Sequence, residues 1–150
     1  MTPFRATYRL QLRGDTDFAA ARELVPQLAH LGISHLYLSP VLRARRGSTH
    51  GYDVVDPCEA DPALGGEAGL EALVEVLRHH RMGLVLDIVP NHMAADPESP
   101  AFADVLAHGP ASRFAAWFDV DWGSAGEVEA GRHAPLALPW LGAPWREAAG

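Results

Sequence analysis

Apolar and polar residues alternate over residues 6–12, which places Tyr8, Leu10 and Leu12 on one face of a half-buried strand. Residues 14–16 supply a turn, with Asp15 or Thr16 as the cap of a following helix. Phe18, Ala21, Leu24, Val25, Leu28 and Leu31 then recur at helical spacing, and Gly32 suits the stop. Pro26 falls inside this helix and predicts a bend or a shortening. Residues 33–38 read as a second, apolar strand ending at Ser39-Pro40. Residues 41–66, rich in Arg, Gly, Pro and Asp, read as one long irregular stretch, and such loops are usually functional. Leu70, Leu73, Val74 and Leu77 form the stripe of a second amphipathic helix, whose last turn carries Arg78, His79, His80 and Arg81 before Gly83 breaks it. Residues 84–89 are almost continuously apolar, the pattern of a strand covered on both faces.

Strand, helix, strand, helix, strand in this order predicts an α/β fold with a parallel sheet and right-handed crossovers. Past Pro90 the pattern fails: residues 101–107 suggest a short helix, 113–122 are rich in aromatics, and 123–150 have no clear period. Three parallel strands fit an open doubly wound sheet or the opening of a (β/α)8 TIM barrel. A complete barrel takes ~250 residues. In a barrel these 150 residues make an incomplete, N-terminal part, with residues 1–93 as about three βα units and 94–150 as the start of an inserted subdomain or long loop region.

Composition narrows the chemistry. Twelve Lys and Arg against 19 Asp and Glu give a net charge of −7, unsuited to a nucleic-acid backbone. Cys58 is the single cysteine, which excludes an internal disulfide and a Cys-rich zinc site. No apolar run approaches the roughly 20 residues of a membrane span, and no apolar signal core precedes the first strand. The expectation is a soluble, cytoplasmic protein with no membrane or nucleic-acid partner.

Function in parallel α/β folds gathers at the C-terminal ends of the strands. Three groups belong there: His50, Tyr52 and Asp53 after the second strand, Asp87 in the third, and Asn91 and His92 just beyond it. A carboxylate among Leu, Val and Ile needs an arginine or a polar ligand, unless Asp87 merely serves a turn. Tyr52 is either a core tyrosine anchoring a loop or an aromatic platform for a sugar ring, flanked by hydrogen-bonding groups. His92 suits a substrate hydroxyl, or a metal shared with His50, although a lone loop histidine is commonly a bystander. His79 and His80 read as solvated helix-end residues, and Arg43, Arg45 and Arg46 as a solvated loop. GxGxxG, P-loop, GxSxG and HExxH patterns do not occur.

Taken together, residues 87–92 (Asp-Ile-Val-Pro-Asn-His) and 50–53 (His-Gly-Tyr-Asp) resemble signature segments of the α-amylase superfamily of glycoside hydrolases and transglycosidases. Residues 7–12, 47–57, 64–67 and 118–122 are similar to its trehalose-forming branch, in register over about the first 122 residues. The resemblance implies a retaining intramolecular transglucosylation, in which the reducing-end α-1,4 linkage of a malto-oligosaccharide becomes an α,α-1,1 linkage. It implies Tyr52 stacking on the sugar beside the scissile bond, His50 and His92 bonding its hydroxyls, Asp53 and Asn91 lining the substrate site, and Asp87 orienting the catalytic centre by pairing an arginine. Asn91 matches a calcium position of some amylases, but no further oxygen ligands are identifiable, so neither metal nor cofactor is expected. The family's nucleophile and acid/base come from later strands; Glu127 and Glu129 match neither. These 150 residues are therefore expected to be the inactive N-terminal piece of a longer enzyme. The alternatives are a piece of an α-amylase-type hydrolase or glucan transferase, a non-catalytic or degenerate α-glucan-binding protein, and, remotely, a flavodoxin-like domain.

Overall fold

The computed structural model describes residues 2–122. They fall into two compact units divided after Pro100. In the first unit, strands β1 (Thr7–Leu10), β2 (His35–Leu38) and β5 (Gly83–Leu86) form a parallel sheet in the order β1-β2-β5. Helix α1 (Phe18–His30) connects the first pair and α2 (Gly66–His79) precedes the third strand, as the hydrophobic periods predict.

The register sets Arg9 beside Tyr37 and Tyr37 beside Val85, with Leu10, Leu38 and Leu86 in the next row. Because strand side chains alternate between faces, the sheet has two unlike sides. Leu36 and Leu38 are fully buried and join Phe18, Ala21, Val25, Leu28, Leu73 and Leu77 in the core. Arg9, Tyr37, Val85 and, one residue past the last strand, Asp87 share the opposite, partly open side. The third strand is thus not covered on both faces among the described residues: Leu86 is half-exposed and Ile88 is 65% exposed. Tyr8 is likewise exposed, whereas Leu12 is fully buried.

Two buried serine hydroxyls bracket β2. Ser34 Oγ accepts from the Arg5 and Ala6 amides and donates to the Ala6 carbonyl, while Ser39 Oγ accepts from the Leu12 amide.

Helix α1 is capped by Asp17, whose carboxylate accepts from the Ala20 amide, and not by Asp15 or Thr16. It continues through Pro26, because Pro26 and Arg22 lie exposed, where solvent can satisfy the freed Arg22 carbonyl. Leu31 belongs to the cap and is exposed. Gly32 adopts φ +85°, and the Gly32 and Ile33 amides bond the Ala29 and Leu28 carbonyls. Helix α2 closes the same way, but with Arg81 in the left-handed position at φ +57° and the Met82 amide on the Leu77 carbonyl. Gly83, expected as the breaker, is a strand residue; a Cβ there would lie 2.3 Å from His35 Cδ2.

The largest departure concerns residues 41–66. This stretch contains an antiparallel pair, β3 (Leu42–Ala44) and β4 (Val54–Ala60), then a 3-10 turn at Pro62–Leu64. The pairing shifts register twice, and Pro57 and Asp56 interrupt the alternation of β4, so no period of two shows in the sequence.

In the second unit, α3 (Pro100–His108) confirms the short helix. The aromatic-rich segment forms ring pairs, Phe102 with Phe118 at 5.7 Å and Phe114 with Trp117 at 4.9 Å. The expectations for residues 123–150, Glu127 and Glu129 included, lie outside the described residues. No helix among the described residues is long and apolar enough to cross a membrane.

Candidate functional site

The open side of the sheet carries a cluster from three distant parts of the chain. Arg9 Nη2 donates to the Tyr52 hydroxyl at 2.9 Å and to Asp87 Oδ2 at 3.4 Å, and the Tyr52 hydroxyl donates to Asp87 Oδ2 at 2.5 Å. The guanidinium lies over the Tyr37 ring, 5.3 Å from its centroid, and its Nη1 donates to Gln11 Oε1. Register explains the gathering: Arg9 and Tyr37 are cross-strand neighbours, and the Asp87 amide bonds the Leu38 carbonyl as β5 ends. Tyr52 comes from the β3–β4 turn.

Sharing one proton donor and one cation shifts all three groups. The Tyr52 hydroxyl, then Tyr37 and Arg9, hold the Asp87 carboxyl below its usual range against a smaller opposing effect of burial. The same bond to Asp87, reinforced by burial, pushes the Tyr52 phenol up. Tyr37 foremost, then Tyr52 and Asp87, favour the charged form of Arg9. The cluster is therefore an ionised carboxylate fixed by a neutral phenol and a guanidinium, with Asp87 one-fifth exposed. It is built to hold a shape, not to exchange protons near neutral pH.

The Tyr52 amide donates to His50 Nδ1 at 3.0 Å, so the proton of the neutral imidazole sits on Nε2 and is available for donation. The two rings lie nearly parallel at 6.0 Å, and His50 is half-exposed. Asp53 is engaged inside the turn: it accepts from Ser48 Oγ, and its Oδ2 is 3.6 Å from Arg45 Nε. Asn91 and His92 are exposed and bonded to each other through Asn91 Oδ1 and His92 Nδ1 at 3.2 Å. No hydrogen bond or ion pair among the described residues joins them to Tyr52 or Asp87. Of the arginine run, Arg43 pairs with Glu59 at 3.0 Å and Arg45 with Asp53 and Asp96. Among the described residues no group of three His, Cys, Asp or Glu is arranged to hold a metal ion.

Sequence reasoning missed Arg9, Tyr37 and Gln11. Their signal is polar residues near a strand's C-terminal end, the feature that drew attention to Asp87.

Residues 12–138 match the family model for the alpha-amylase catalytic domain. The chain belongs to the alpha-amylase family. It is 47% identical over 147 residues to a putative maltooligosyl trehalose synthase of Mycobacterium tuberculosis, covering 93% of this chain and 18% of that protein. A cyclomaltodextrinase of Geobacillus thermopakistaniensis is 41% identical over 93 residues, or 62% of this chain and 15% of its own. Among solved structures, the maltooligosyltrehalose synthase of Arthrobacter ramosus superposes with a TM-score of 0.76 at 44% identity, over 80% of this chain and 16% of that one. A debranching enzyme of Nostoc punctiforme, 21% identical with a TM-score of 0.67, shares the fold. The chain of this alpha-amylase family member thus spans about 18% of the length of the curated relatives it matches first.

Proposed function

We propose that this chain contributes to an enzyme that converts the reducing-end α-1,4 linkage of malto-oligosaccharides into an α,α-1,1 linkage by intramolecular transglucosylation. The observation that carries the reading is 47% identity over nearly the whole chain to a protein bearing the name of that activity. Within this reading, residues 1–93 are the first three βα units of a (β/α)8 barrel, and 94–150 begin an inserted subdomain. The open side of the β1-β2-β5 sheet then faces the barrel interior, and Tyr52 and Asp87 stand at its catalytic end. The cytoplasm is the proposed location, in keeping with a single cysteine.

The chemistry is retaining: one carboxylate attacks the anomeric carbon while a second group protonates the departing oxygen. The released glucose stays bound, turns over and attacks the glucosyl-enzyme through its anomeric hydroxyl. Excluding bulk water favours that transfer over hydrolysis. No residue of these 150 is assigned as nucleophile or acid/base. Those present bind and orient. The Tyr52 ring is the platform for the sugar at the scissile bond, and its hydroxyl, tied to Asp87 and Arg9, anchors the tip of the ring in place. His50 offers Nε2–H to a sugar hydroxyl, and His92 and Asn91 offer polar groups from the exit of β5. Asp53 acts from within the turn that presents His50 and Tyr52. Asp87 keeps a fixed negative charge near the reacting centre, favourable to a developing oxocarbenium ion.

Incubating the protein expressed from its natural gene with maltopentaose tests the reading. Reducing power is expected to fall without release of free glucose. A rise in reducing power would instead assign an α-glucan hydrolase, and glucan binding without turnover a non-catalytic protein.

A further inference from the structure

Beneath the turn that carries Tyr52 lies a buried ion pair that the proposed chemistry does not use. Arg13 Nη1 donates to Asp61 Oδ2, and the two side chains are only 7% and 6% exposed. Asp61 also accepts from the Ala44 amide at 3.1 Å and the Ala63 amide at 2.8 Å, so it gathers β3 and the 3-10 turn around one carboxylate. Burial works to raise its pKa, but the Ala44 amide, Arg13 and the Ala63 amide together hold it below the usual range. Arg13 Nη2 reaches the Leu42 carbonyl at 3.4 Å, while its buried Nε–H has no acceptor among the described residues.

A buried pair of this kind is a poor source of stability, since well-packed apolar residues serve as well. Its geometry points elsewhere. Gly51 rests on the guanidinium: a Cβ there would fall 2.8 Å from Arg13 Nη2, 3.1 Å from Nε and 3.1 Å from the Pro40 carbonyl. With φ +83°, Gly51 turns the chain between His50 and Tyr52 at the point of closest approach. A contiguous path therefore runs from Asp61 through Arg13 and Gly51 to Tyr52 and Asp87.

We propose that the Arg13–Asp61 pair is a positioning element for Tyr52, setting the height of the turn at Gly51 so that the phenol meets Asp87. The proposal rests on the reading of Tyr52 and Asp87 as site residues. Arg13 and Asp61 touch no substrate and act only through the turn.

Two variants of the protein expressed from its natural gene test it. Arg13→Lys keeps a charge opposite Asp61 but removes the planar fork under Gly51. Arg13→Met with Asp61→Asn removes both charges, so that neither is left buried alone. In each, circular dichroism reports folding, and the Tyr52 ring carbon in NMR, assigned with Tyr52→Phe, reports phenol ionisation. Expected is a folded protein in which the Tyr52 titration falls back toward that of an ordinary tyrosine. Conversion of maltopentaose is expected to lose about ten- to a hundredfold in kcat, with KM changed by less than about threefold. In a Tyr52→Phe background Arg13→Lys is expected to cost nothing further. A folded Arg13 variant with an unchanged Tyr52 titration overturns the proposal, as do losses that multiply with those of Tyr52→Phe. Should the unsubstituted protein leave maltopentaose untouched, the functional reading fails, and the Tyr52 titration still decides the positioning role.

Discussion

Asp87 shows how far a single side chain can be read from its surroundings. A carboxylate closing a run of Leu and Val demands a partner, and Asp87 finds Tyr52 first, then Tyr37 and Arg9. Its folded pKa is depressed, so the stability it brings is present above the unfolded value of about 3.9 and is lost as pH falls through the folded value. The Tyr52 contribution has the opposite sense: its pKa is raised, so the benefit of the neutral phenol holds below about pH 10 and disappears above. Tyr52→Phe is expected to cost about 1 kcal/mol at pH 7, at the modest end for a bond to a charge because the site is partly solvated. That cost should shrink in acid, where only the bond from Arg9 remains at full strength, and the Asp87 carboxyl carbon should titrate higher in the variant. Denaturant melts over a pH series and carbon-detected NMR check both, and an unchanged Asp87 titration would show that the phenol bond does not form in solution. Asp87, Tyr52 and His50 were legible as candidates because residue type and strand-end position sufficed. Arg9 and the Arg13–Asp61 pair were not, because their partners lie 78 and 48 residues away and only the sheet register and the hairpin bring them together.

Among elements, legibility followed periodicity. Helices α1 and α2 show through an unbroken stripe, and their interiors carry the core. Gly32 was legible as the stop of α1, whereas the Asp17 cap and the left-handed Arg81 were not, because such caps depend on one or two backbone bonds. The β3–β4 pair was hidden by its register shifts and by Pro57 inside a strand. The ends of α1 and α2 share one closing geometry with different residues, Gly32 in the first and Arg81 in the second. A left-handed conformation costs a non-glycine residue roughly 1–2 kcal/mol. Part of any gain on substitution is lost to the greater freedom of glycine in the unfolded chain, roughly 0.5–1 kcal/mol. Arg81→Gly should therefore stabilise the protein by about 0.5–1 kcal/mol, read as a higher denaturant midpoint at constant slope. A lower midpoint would mean that the Arg81 side chain supplies more than its backbone costs.

For the molecule as a whole, the notable property is apolar surface at the sheet margins. Among the described residues β1 and β5 each lack a partner on their outer edge, and Ile88 is 65% exposed beyond β5. Unpaired edges of parallel strands invite association, while a net charge of −7 opposes it until salt screens the repulsion. A polypeptide of residues 1–150 alone should thus exceed its 16.2 kDa monomer mass in light scattering, more so at high salt, and Ile88→Lys should restore the monomer. A monomer at every salt concentration would show that these edges are covered. Against this openness, the hydroxyls of Ser34 and Ser39 give β1 a fixed address. If β1 slid by a single residue, both hydroxyls would lose their amide partners in a dry environment, and Arg9 would turn toward the leucine side. Docking β1 and aiming Arg9 are therefore one event: whatever brings the strand home also delivers the guanidinium to Asp87.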